Sequence, residues 1–574
     1  MLIIKKLYSQ PEIFDPITFE SGFNLILGET TEGNIKTNGV GKSMAVEFIN
    51  YALLKRHGDS RVSLIPAESL SRDVVICLDF ELNGYAITSK RTLNDHECPT
   101  LIINNKVNNY SRLTDATAHL NTLIGGFSES FEDIPSFRTM MGPLIRDEGS
   151  EFKSIINCFD TNKRIPPDYT PHLYFLQIDP HPYKKAKLLS TEMERISKSK
   201  SKMEENIAEL TGKNISESRA DLNELENQVS HIQRDIDKLE NIQGFDIVKD
   251  EIIEIETKLE QSRSTQAVLK SELSRLKLFQ GDNYINSQEV SDLYNQFKSG
   301  LGDLIKKELD EVISFKKKID HFQRSIIDGR KSFLESEIKQ IDDSITLLSN
   351  IYREKVSLLD QEGLLVSLKQ TISIHEKKIE EHSALSSFIQ KHTDYENEYK
   401  YKKREREDAI YLLESFIENA KEIIFSFERT ILDMHNYIFG NRRCSFNIDV
   451  SKKKEILNFD LRIDSDGSHS INRGKVFLYD FSLLINQGTS KNHLNFLIHD
   501  NIFDVDQDTL IKSINFVGEN IELIKEKQYI LTINSDKFSD NDLKLLKIDL
   551  HEYTRASFTK NKRFLKMHYQ ELSK

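Results

Sequence analysis

Apolar residues recur every three or four positions through the middle of the chain. This spacing places them on one helix face and is typical of the a and d positions of a coiled coil. Glutamate and lysine occupy most of the other positions, which suits solvent-exposed helix faces. We therefore predict coiled-coil arms over 184–440, with a globular bundle of amphipathic helices as the alternative. The two clearest runs are Leu222, Leu225, Val229, Ile232, Ile236 and Leu239, and Leu334, Ile338, Ile341, Ile345, Leu348 and Tyr352.

Two stretches break this periodicity. Residues 279–305 (FQGDNYINSQEVSDLYNQFKSGLGDLI) introduce glycines and polar residues, which predicts either the tip of a helical hairpin or an elbow within the arm. A second break, LLDQEGLLVSLKQ near residue 363, is a competing position for the tip.

Both ends of the chain instead alternate in the manner of strands. FNLILG, CSFNIDV, LNFDLRID and QYILTINSD are predicted strands, and HLNFLIHD is predicted to be a buried one. Asn83-Gly84 separates two further strand patterns and is a strong hairpin signal. We predict that residues 1–183 and 441–574 are the two halves of one mixed α/β head, flanking an antiparallel coil.

Composition narrows the class of protein. The chain has 574 residues, too many for one hydrophobic core, and its net charge of −13 argues against a protein that coats DNA generally. Four cysteines without a Cys-x-x-Cys pair support neither a zinc site nor a disulfide framework. With no apolar run of about 18 residues and no signal-peptide pattern, we expect no membrane association and a cytoplasmic location.

The candidate nucleotide-binding segment is residues 25–48, LILGETTEGNIKTNGVGKSMAVEF. A strand pattern ends at a glycine, and Gly-Lys-Ser is followed by apolar residues at helical spacing, which is the order of a phosphate-binding loop. The usual first glycine is replaced by Lys36, so Gly28 takes that place if residues 30–36 loop out. The predicted nucleotide-binding residues here are Gly28, Asn38, Gly39, Val40, Gly41, Lys42 and Ser43.

With this loop and the split layout, the sequence resembles the structural-maintenance-of-chromosomes (SMC) and RecN-type ATPases. It is more narrowly similar to the SMC-like component of bacterial three-component defence cassettes such as Lamassu, through SFRTMMGPLIRDEGSEF and LYNQFKSGLGDLIKKELDEVISFKKKI. The resemblance implies an α/β ABC-type ATPase head assembled from N- and C-terminal halves, with a long antiparallel α-helical coiled-coil insertion. ATP and Mg²⁺ are the implied cofactors.

The resemblance assigns roles to matching residues. Lys42 would contact the β- and γ-phosphates, Ser43 would ligate Mg²⁺, and Asp500, at the end of NFLIHD, would hold the water shell of the metal. The signature motif is represented by Ser470 and Gly474 ahead of an apolar helix, although a simple glycine turn before a core helix explains them equally well.

Three positions depart from the family pattern. Asn501 replaces the water-polarising glutamate and cannot accept a proton, so slow hydrolysis is expected unless Asp504 or Glu148 substitutes. The glutamine expected in LIRDEG is replaced by an acid, with Glu148 and the additional metal-ligand candidate Asp147 both available. Asn534 replaces the switch histidine and is a further nucleotide contact.

The function implied is an ATP-binding DNA sensor in defence against phage or plasmids. It would form a homodimer through ATP-bound heads, clasp double-stranded DNA and control a partner effector, expected to be a nuclease, with a small accessory subunit from the same operon. A DNA-repair or chromosome-organising ATPase is one alternative, and a structural coiled-coil scaffold with an inert nucleotide site is another. Candidate DNA contacts, or merely solvated lysines, are Lys184, Lys185, Lys187, Lys198, Lys200 and Lys202.

Overall fold

The chain forms two compact units in this computed structural model. One unit combines Met1–Thr191 with Lys403–Lys574, and the other comprises Glu192–Lys402. Residues 403–440, predicted as part of the arm, thus belong to the same unit as both chain ends. The structure describes residues 1–30, 39–66, 69–125, 131, 133–161, 163, 165–240, 249–278, 305–357, 365–464, 469–503 and 505–572.

A five-stranded parallel sheet joins the two ends of the chain. Its order is β13-β3-β12-β11-β8, so β3 from the first half lies between two strands from the second half. Neither half can complete this sheet alone, and the predicted head assembled from two halves is confirmed. The strands are β3 (Gly22–Gly28), β8 (Ile145–Arg146), β11 (Phe496–Asp500), β12 (Gln528–Asn534) and β13 (Thr554–Phe558).

The remaining strands form antiparallel sheets in the same unit. The predicted hairpin joins β4 and β5 through Asn83 and Gly84, whose φ values of 49° and 83° suit a tight two-residue turn. The six-stranded sheet has the order β2-β1-β4-β5-β6-β7, and β9 pairs with β10. These strands are β1 (Leu2–Gln10), β2 (Ile17–Thr18), β4 (Val75–Leu82), β5 (Tyr85–Thr92), β6 (Thr100–Ile103), β7 (Lys106–Asn109), β9 (Cys444–Val450) and β10 (Leu457–Ile463).

Helices pack against the parallel sheet and the antiparallel sheets and complete one large hydrophobic core. Phe14, Phe48 and Phe564 meet in it with ring centroids 4.5–5.6 Å apart, which ties the end of the chain to its beginning. The helices of this unit include α1 (Lys42–Ala52), α2 (Leu113–Gly125), α3 (Phe137–Leu144), α4 (Thr170–Phe175), α10 (Lys421–Phe439), α11 (His469–Ile485), α12 (Gln507–Glu519), α13 (Ile521–Ile524), α14 (Asp540–Leu545) and α15 (Leu550–Tyr553).

All regular secondary structure in the described part of the second unit is helical. The two predicted seams coincide with the sheltered positions: Ile236, Leu334, Ile338 and Tyr352 are buried, and the other described seam residues are half-buried. The antiparallel coiled-coil insertion is thus confirmed. Its helices are α5 (His181–Thr211, which starts in the first unit), α6 (Ile215–Glu240), α7 (Lys249–Leu278), α8 (Ile305–Ser357) and α9 (Leu365–Asn419, which ends in the first unit).

The directions of these helices reveal more reversals than one hairpin. α7 and α8 are antiparallel, because Tyr352 Oη donates to Glu256 at 2.8 Å while Arg330 pairs with Glu272 at 2.7 Å. α6 is antiparallel to α9, through the 3.2 Å contact of Arg219 with Thr393 at one end and the packing of Ile236 with Ile372 further along. These pairings bury both seams against helices that the sequence did not single out.

α7, in contrast, runs parallel to α9. Arg263 Nη1 donates to the Glu376 carbonyl at 3.4 Å, and further along both helices Arg275 lies close enough to Lys391 to help burial lower its pKa. The chain therefore reverses between α6 and α7, between α7 and α8, and between α8 and α9. The two positions predicted for the tip, residues 279–305 and 358–370, lie mostly outside the described residues. Within them, Ile305 begins α8 and residues 365–370 belong to the start of α9.

Candidate functional site

The phosphate-loop candidate lies where β3 ends and α1 begins. Gly41 precedes the helix with a φ of 106°, and a Cβ added there would lie 2.5 Å from the Phe564 Cβ, so both conformation and space require glycine. A Cβ on Gly28 would lie 2.9 Å from Lys42 Nζ and from Asn534 Oδ1. Strand, glycine turn and helix are thus in the predicted arrangement, whereas Asn38 is outside the described residues.

Lys42 occupies the centre of the site with 7% of its surface exposed. Its Nζ donates to Asn534 Oδ1, so the asparagine that replaces the expected histidine holds the lysine from the end of β12. Burial lowers the pKa of Lys42, and the nearby Asp500 and Glu148 carboxylates oppose that shift. The lysine is thereby held in a buried position among acidic groups.

Asp500 ends β11 and is almost fully buried. Its Oδ1 accepts a hydrogen bond from Thr532 Oγ1 at 2.7 Å, while Oδ2 has no hydrogen-bond partner among the described atoms. Burial and the Glu148 charge raise the pKa of Asp500 to about 7, against the opposing effect of polar contacts with Thr532 and Ser43. A buried carboxylate oxygen without a partner is the feature that a bound cation would satisfy.

Asn501 and Glu148 come together although they are 353 positions apart. Asn501 Nδ2 donates to Glu148 Oε1 at 2.9 Å, and the Asn501 backbone, with a φ of 58°, is held by Thr532 Oγ1 at 3.0 Å. Arg473 Nη1 donates to the Asn501 carbonyl at 2.8 Å. The structure thus places Glu148 beside the substituted position, and Asp504 lies outside the described residues.

The other predicted site residues are placed differently. Asp147 Oδ1 accepts from the Gly149 N–H at 3.0 Å, and its Oδ2 lies 3.5 Å from Lys55 Nζ, so this carboxylate already has two partners. Ser470 and Gly474 do not precede the apolar helix, because α11 already starts at His469 and contains both. The predicted glycine turn is therefore wrong: Gly474 lies in the second turn of a regular helix.

A buried charged network supports the site and was missed at the sequence level. Arg146, just before the acidic loop, pairs with Asp480 of α11 at 2.8 and 3.0 Å, and both side chains are essentially inaccessible to solvent. His499, just before Asp500, lies 3.3 Å from the same carboxylate. The available signal was Asp480 itself, a single acid in the otherwise apolar run VFLYDFSLLI.

The end of the chain was also missed as part of the site. A cavity of about 360 Å³ is bounded on one side by the glycine turn and on another by the segment after β13. Lys42, Ser43, Glu148 and Asn501 all line it. Arg61, Tyr569 and Glu571, which the sequence did not single out, line it too.

Family comparisons match both halves of this site. Residues 8–260 match a family described as "AAA domain", which includes the glycine turn and Glu148. The fold is that of an ABC-type ATPase head with a coiled-coil insertion. Residues 427–569 match a family described as "Uncharacterised protein conserved in bacteria (DUF2326)", which includes Asp500 and Asn501.

Individual proteins are similar to this chain over nearly its whole length. The chain is 20% identical to "Uncharacterized protein YydD" of Bacillus subtilis (strain 168), covering 95% of each protein. A solved Smc head domain with a coiled coil and joint from Pyrococcus yayanosii is 14% identical, covers 95% of this chain and 94% of its own, and has a TM-score of 0.35. An Smc head domain with an extended coiled coil bound to the C-terminal domain of ScpA, from Pyrococcus furiosus, is 10% identical, with coverages of 94% and 91% and a TM-score of 0.30.

No group of three or more histidine, cysteine, aspartate or glutamate side chains within the described residues is arranged to hold a metal ion. None of the helices in the described ranges is long and apolar enough to cross a membrane.

Proposed function

We propose that this chain binds ATP with Mg²⁺ around Lys42 and works as a slowly hydrolysing switch. The observation that carries the proposal is the convergence of Lys42, Ser43 and Asp500, which come from opposite ends of the chain. The Asp500 charge acts on Lys42, its carboxylate has a polar contact with Ser43, and its buried Oδ2 has no hydrogen-bond partner among the described atoms. The alternative of a structural scaffold with an inert site does not account for this arrangement, because burying a lysine and an unpaired carboxylate oxygen is costly.

The residues present fit this cofactor. Backbone N–H groups at the start of α1 and the Lys42 ammonium would hold the phosphates. Ser43 and Asp500 would hold the Mg²⁺, which neutralises charge on the phosphates when bound. Asn534 keeps the Lys42 ammonium directed away from solvent, next to Gly28, so that the lysine is positioned before any nucleotide arrives.

Slow turnover follows from the chemistry of Asn501. An amide can orient a water molecule but cannot take its proton, and loss of a general base costs about 10²–10⁴-fold in rate. Glu148 is the nearby carboxylate that can supply the remaining turnover, since the Asn501 amide holds it 2.9 Å away and both line the cavity. We propose that ATP therefore persists and prolongs the bound state.

Steady-state ATPase rates test this. Asn501→Glu should raise the rate, Glu148→Gln should remove the residual rate, and both variants should bind ATP as the unaltered protein does. Brisk hydrolysis by the unaltered protein that neither variant changes would contradict the slow-switch model. Asp508→Asn, which alters an exposed carboxylate of α12, is the matched control for a change of one surface charge.

The wider role that we propose is that of a DNA sensor in defence against phage or plasmids. Two ATP-bound heads would form a homodimer, the coiled coils would clasp double-stranded DNA, and the closed state would activate an effector, expected to be a nuclease, with help from a small accessory subunit. The AAA-domain match and the helical insertion support the ATPase part. A DNA-repair or chromosome-organising ATPase is the alternative, and identification of the partners separates the two.

Three of the six lysines proposed as DNA contacts pair with acids. Lys184 Nζ lies 2.9 Å from Asp133, Lys202 Nζ lies 2.9 Å from Glu205, and Lys200 is 3.7 Å from Glu204. DNA phosphates would have to displace these partners, which favours the view that these lysines are mainly solvated coil residues. Co-purification with neighbouring gene products, with and without ATP and with linear or circular DNA, tests the wider role. Absence of both ATP-linked dimers and DNA association would overturn it.

A further inference from the structure

The segment after β13 forms a strap along the candidate nucleotide site. We define the strap as residues 559–572, which follow β13. Its first part is fixed by Phe564, whose N–H donates to the Val40 carbonyl at 3.0 Å and whose ring is buried between Phe14 and Phe48. The strap is thereby attached directly to the glycine turn that precedes α1.

The other end of the strap is also fixed by hydrogen bonds. Arg61 donates to Glu571 through two nitrogens, at 2.7 and 3.3 Å, and the Leu572 N–H donates to the Leu64 carbonyl at 2.9 Å. A bidentate arginine–carboxylate pair restricts both position and orientation. The residues between these two anchors are therefore held at a defined distance from the phosphate loop.

Between the anchors, side chains alternate between the cavity and the solvent. Leu565, Met567, Tyr569 and Glu571 line the 360 Å³ cavity and are buried or half-buried. The intervening Lys566, His568 and Gln570 are exposed. The segment is not a regular strand, because Lys566 has a φ of 58° and its N–H donates to the Arg563 carbonyl at 3.0 Å. The alternation nevertheless gives the strap one sheltered face. The sheltered face presents a mostly apolar wall opposite the glycine turn.

We propose that this wall is the binding surface for the purine base of the nucleotide, with Tyr569 as the ring on which the base stacks. The inference rests on the proposed ATP site. The phosphates would be held by the glycine turn and Lys42, so the base must occupy another part of the same cavity. Among the described residues that line the cavity, Tyr569 is the one aromatic side chain. Leu565 and Met567 extend the apolar surface beside it.

The physical basis is the flat apolar face shared by all purines. Stacking on an aromatic ring removes that face from water and is sequence-tolerant, because it needs no hydrogen bond from the base. The Arg61–Glu571 pair closes the polar end of the wall two residues after Tyr569 and holds the ring in place. A base-binding wall supplied by the C-terminal strap also makes the two halves of the chain interdependent for nucleotide affinity.

Calorimetric titration with two probes tests the proposal. MgATP carries a base, whereas inorganic tripolyphosphate with Mg²⁺ carries only the phosphates. Tyr569→Ala should weaken ATP binding about tenfold and leave tripolyphosphate binding unchanged. A tenfold change is at the lower end of the loss of affinity expected when one stacked base loses its aromatic partner. Tyr569→Phe should restore ATP affinity, and His568→Ala, on the exposed face of the strap, should leave it unaltered.

The outcomes separate this inference from the proposed function. If the unaltered protein binds neither probe, the ATP site itself is wrong and the inference fails with it. If it binds ATP but Tyr569→Ala has no effect, or weakens both probes equally, the strap does not bind the base although the ATP site stands. Thermal unfolding of each variant identifies any loss of affinity that comes from misfolding, and Tyr569→Phe then decides whether the ring is required.

Discussion

Asp500→Asn should make the nucleotide-free protein more stable, and increasingly so as the pH rises. The folded protein raises the pKa of Asp500 from 3.8 to about 7, so it binds this proton more tightly than the unfolded chain does. Stability from this group is fully present below about pH 4 and is lost as the pH rises towards 7. Asparagine has nearly the same shape and no charge to bury, so it removes this loss.

The magnitude follows from the size of the shift. About three pKa units correspond to about 4 kcal/mol at pH 8, and relaxation around the carboxylate makes this an upper figure. Part of the loss has already occurred at pH 5, so the stabilisation by Asp500→Asn should grow by up to about 3 kcal/mol between pH 5 and pH 8. Mg²⁺ with ATP should stabilise the unaltered protein but not the variant, because the variant lacks the charged ligand.

Urea unfolding measures this difference. The chain contains no tryptophan and 19 tyrosines, so near-ultraviolet circular dichroism of tyrosine reports on packed tertiary structure. Asp508→Asn, at an exposed position of α12, controls for the general effect of removing one negative charge. A stabilisation that is the same at pH 5 and pH 8, or a variant less stable than the unaltered protein at pH 8, would refute the reasoning.

Two further predictions concern the scaffold of the site. Asp480→Ala should lower the free energy of unfolding by about 3–5 kcal/mol, because it leaves the Arg146 guanidinium buried without its carboxylate, and the double variant Arg146→Met/Asp480→Leu should recover most of that loss in urea titrations. A cost below about 1 kcal/mol would show that this pair is not a buried ion pair. Replacing residues 213–382 by a short glycine–serine linker should leave ATP affinity unchanged in calorimetry, since Ile207 and Leu385 already pack together and the sheet is complete without the insertion. A folded, shortened protein that cannot bind ATP would contradict the two-half head.

Local patterns were sufficient to predict the elements of this protein. The seam residues of α6 and α8, the alternation in β9 and β10, and the Asn83-Gly84 turn were all found correctly. Each of these depends on contacts or conformations within a few residues, so the sequence carries the information locally. The glycine turn before Lys42 belongs to the same class, because a positive φ and a helix N-terminus are local properties. The defence role remains a prediction from resemblance.

The arrangement of the functional groups depended on tertiary structure. Asn501 meets Glu148 across 353 positions, and Arg146 meets Asp480 across 334, because β8 and β11 are neighbours in a sheet built from both ends of the chain. No periodicity encodes such a pairing. The wrong position for the start of α11 has the same origin, since glycine is tolerated inside a helix when packing outweighs its propensity.

The helical insertion and the strap show the same difference between what the sequence predicts and what the tertiary structure determines. Heptad spacing states which face of a helix is buried but not which partner covers it, so the sequence predicted the seams without the parallel course of α7 and α9. The alternation from Leu565 to Glu571 likewise gains meaning only when Phe564 docks on the glycine turn and Arg61 holds Glu571. Sequence determined which residues prefer burial or a turn. The tertiary structure determined which distant residues meet, because that depends on the free energy of the whole packed unit rather than of any one segment.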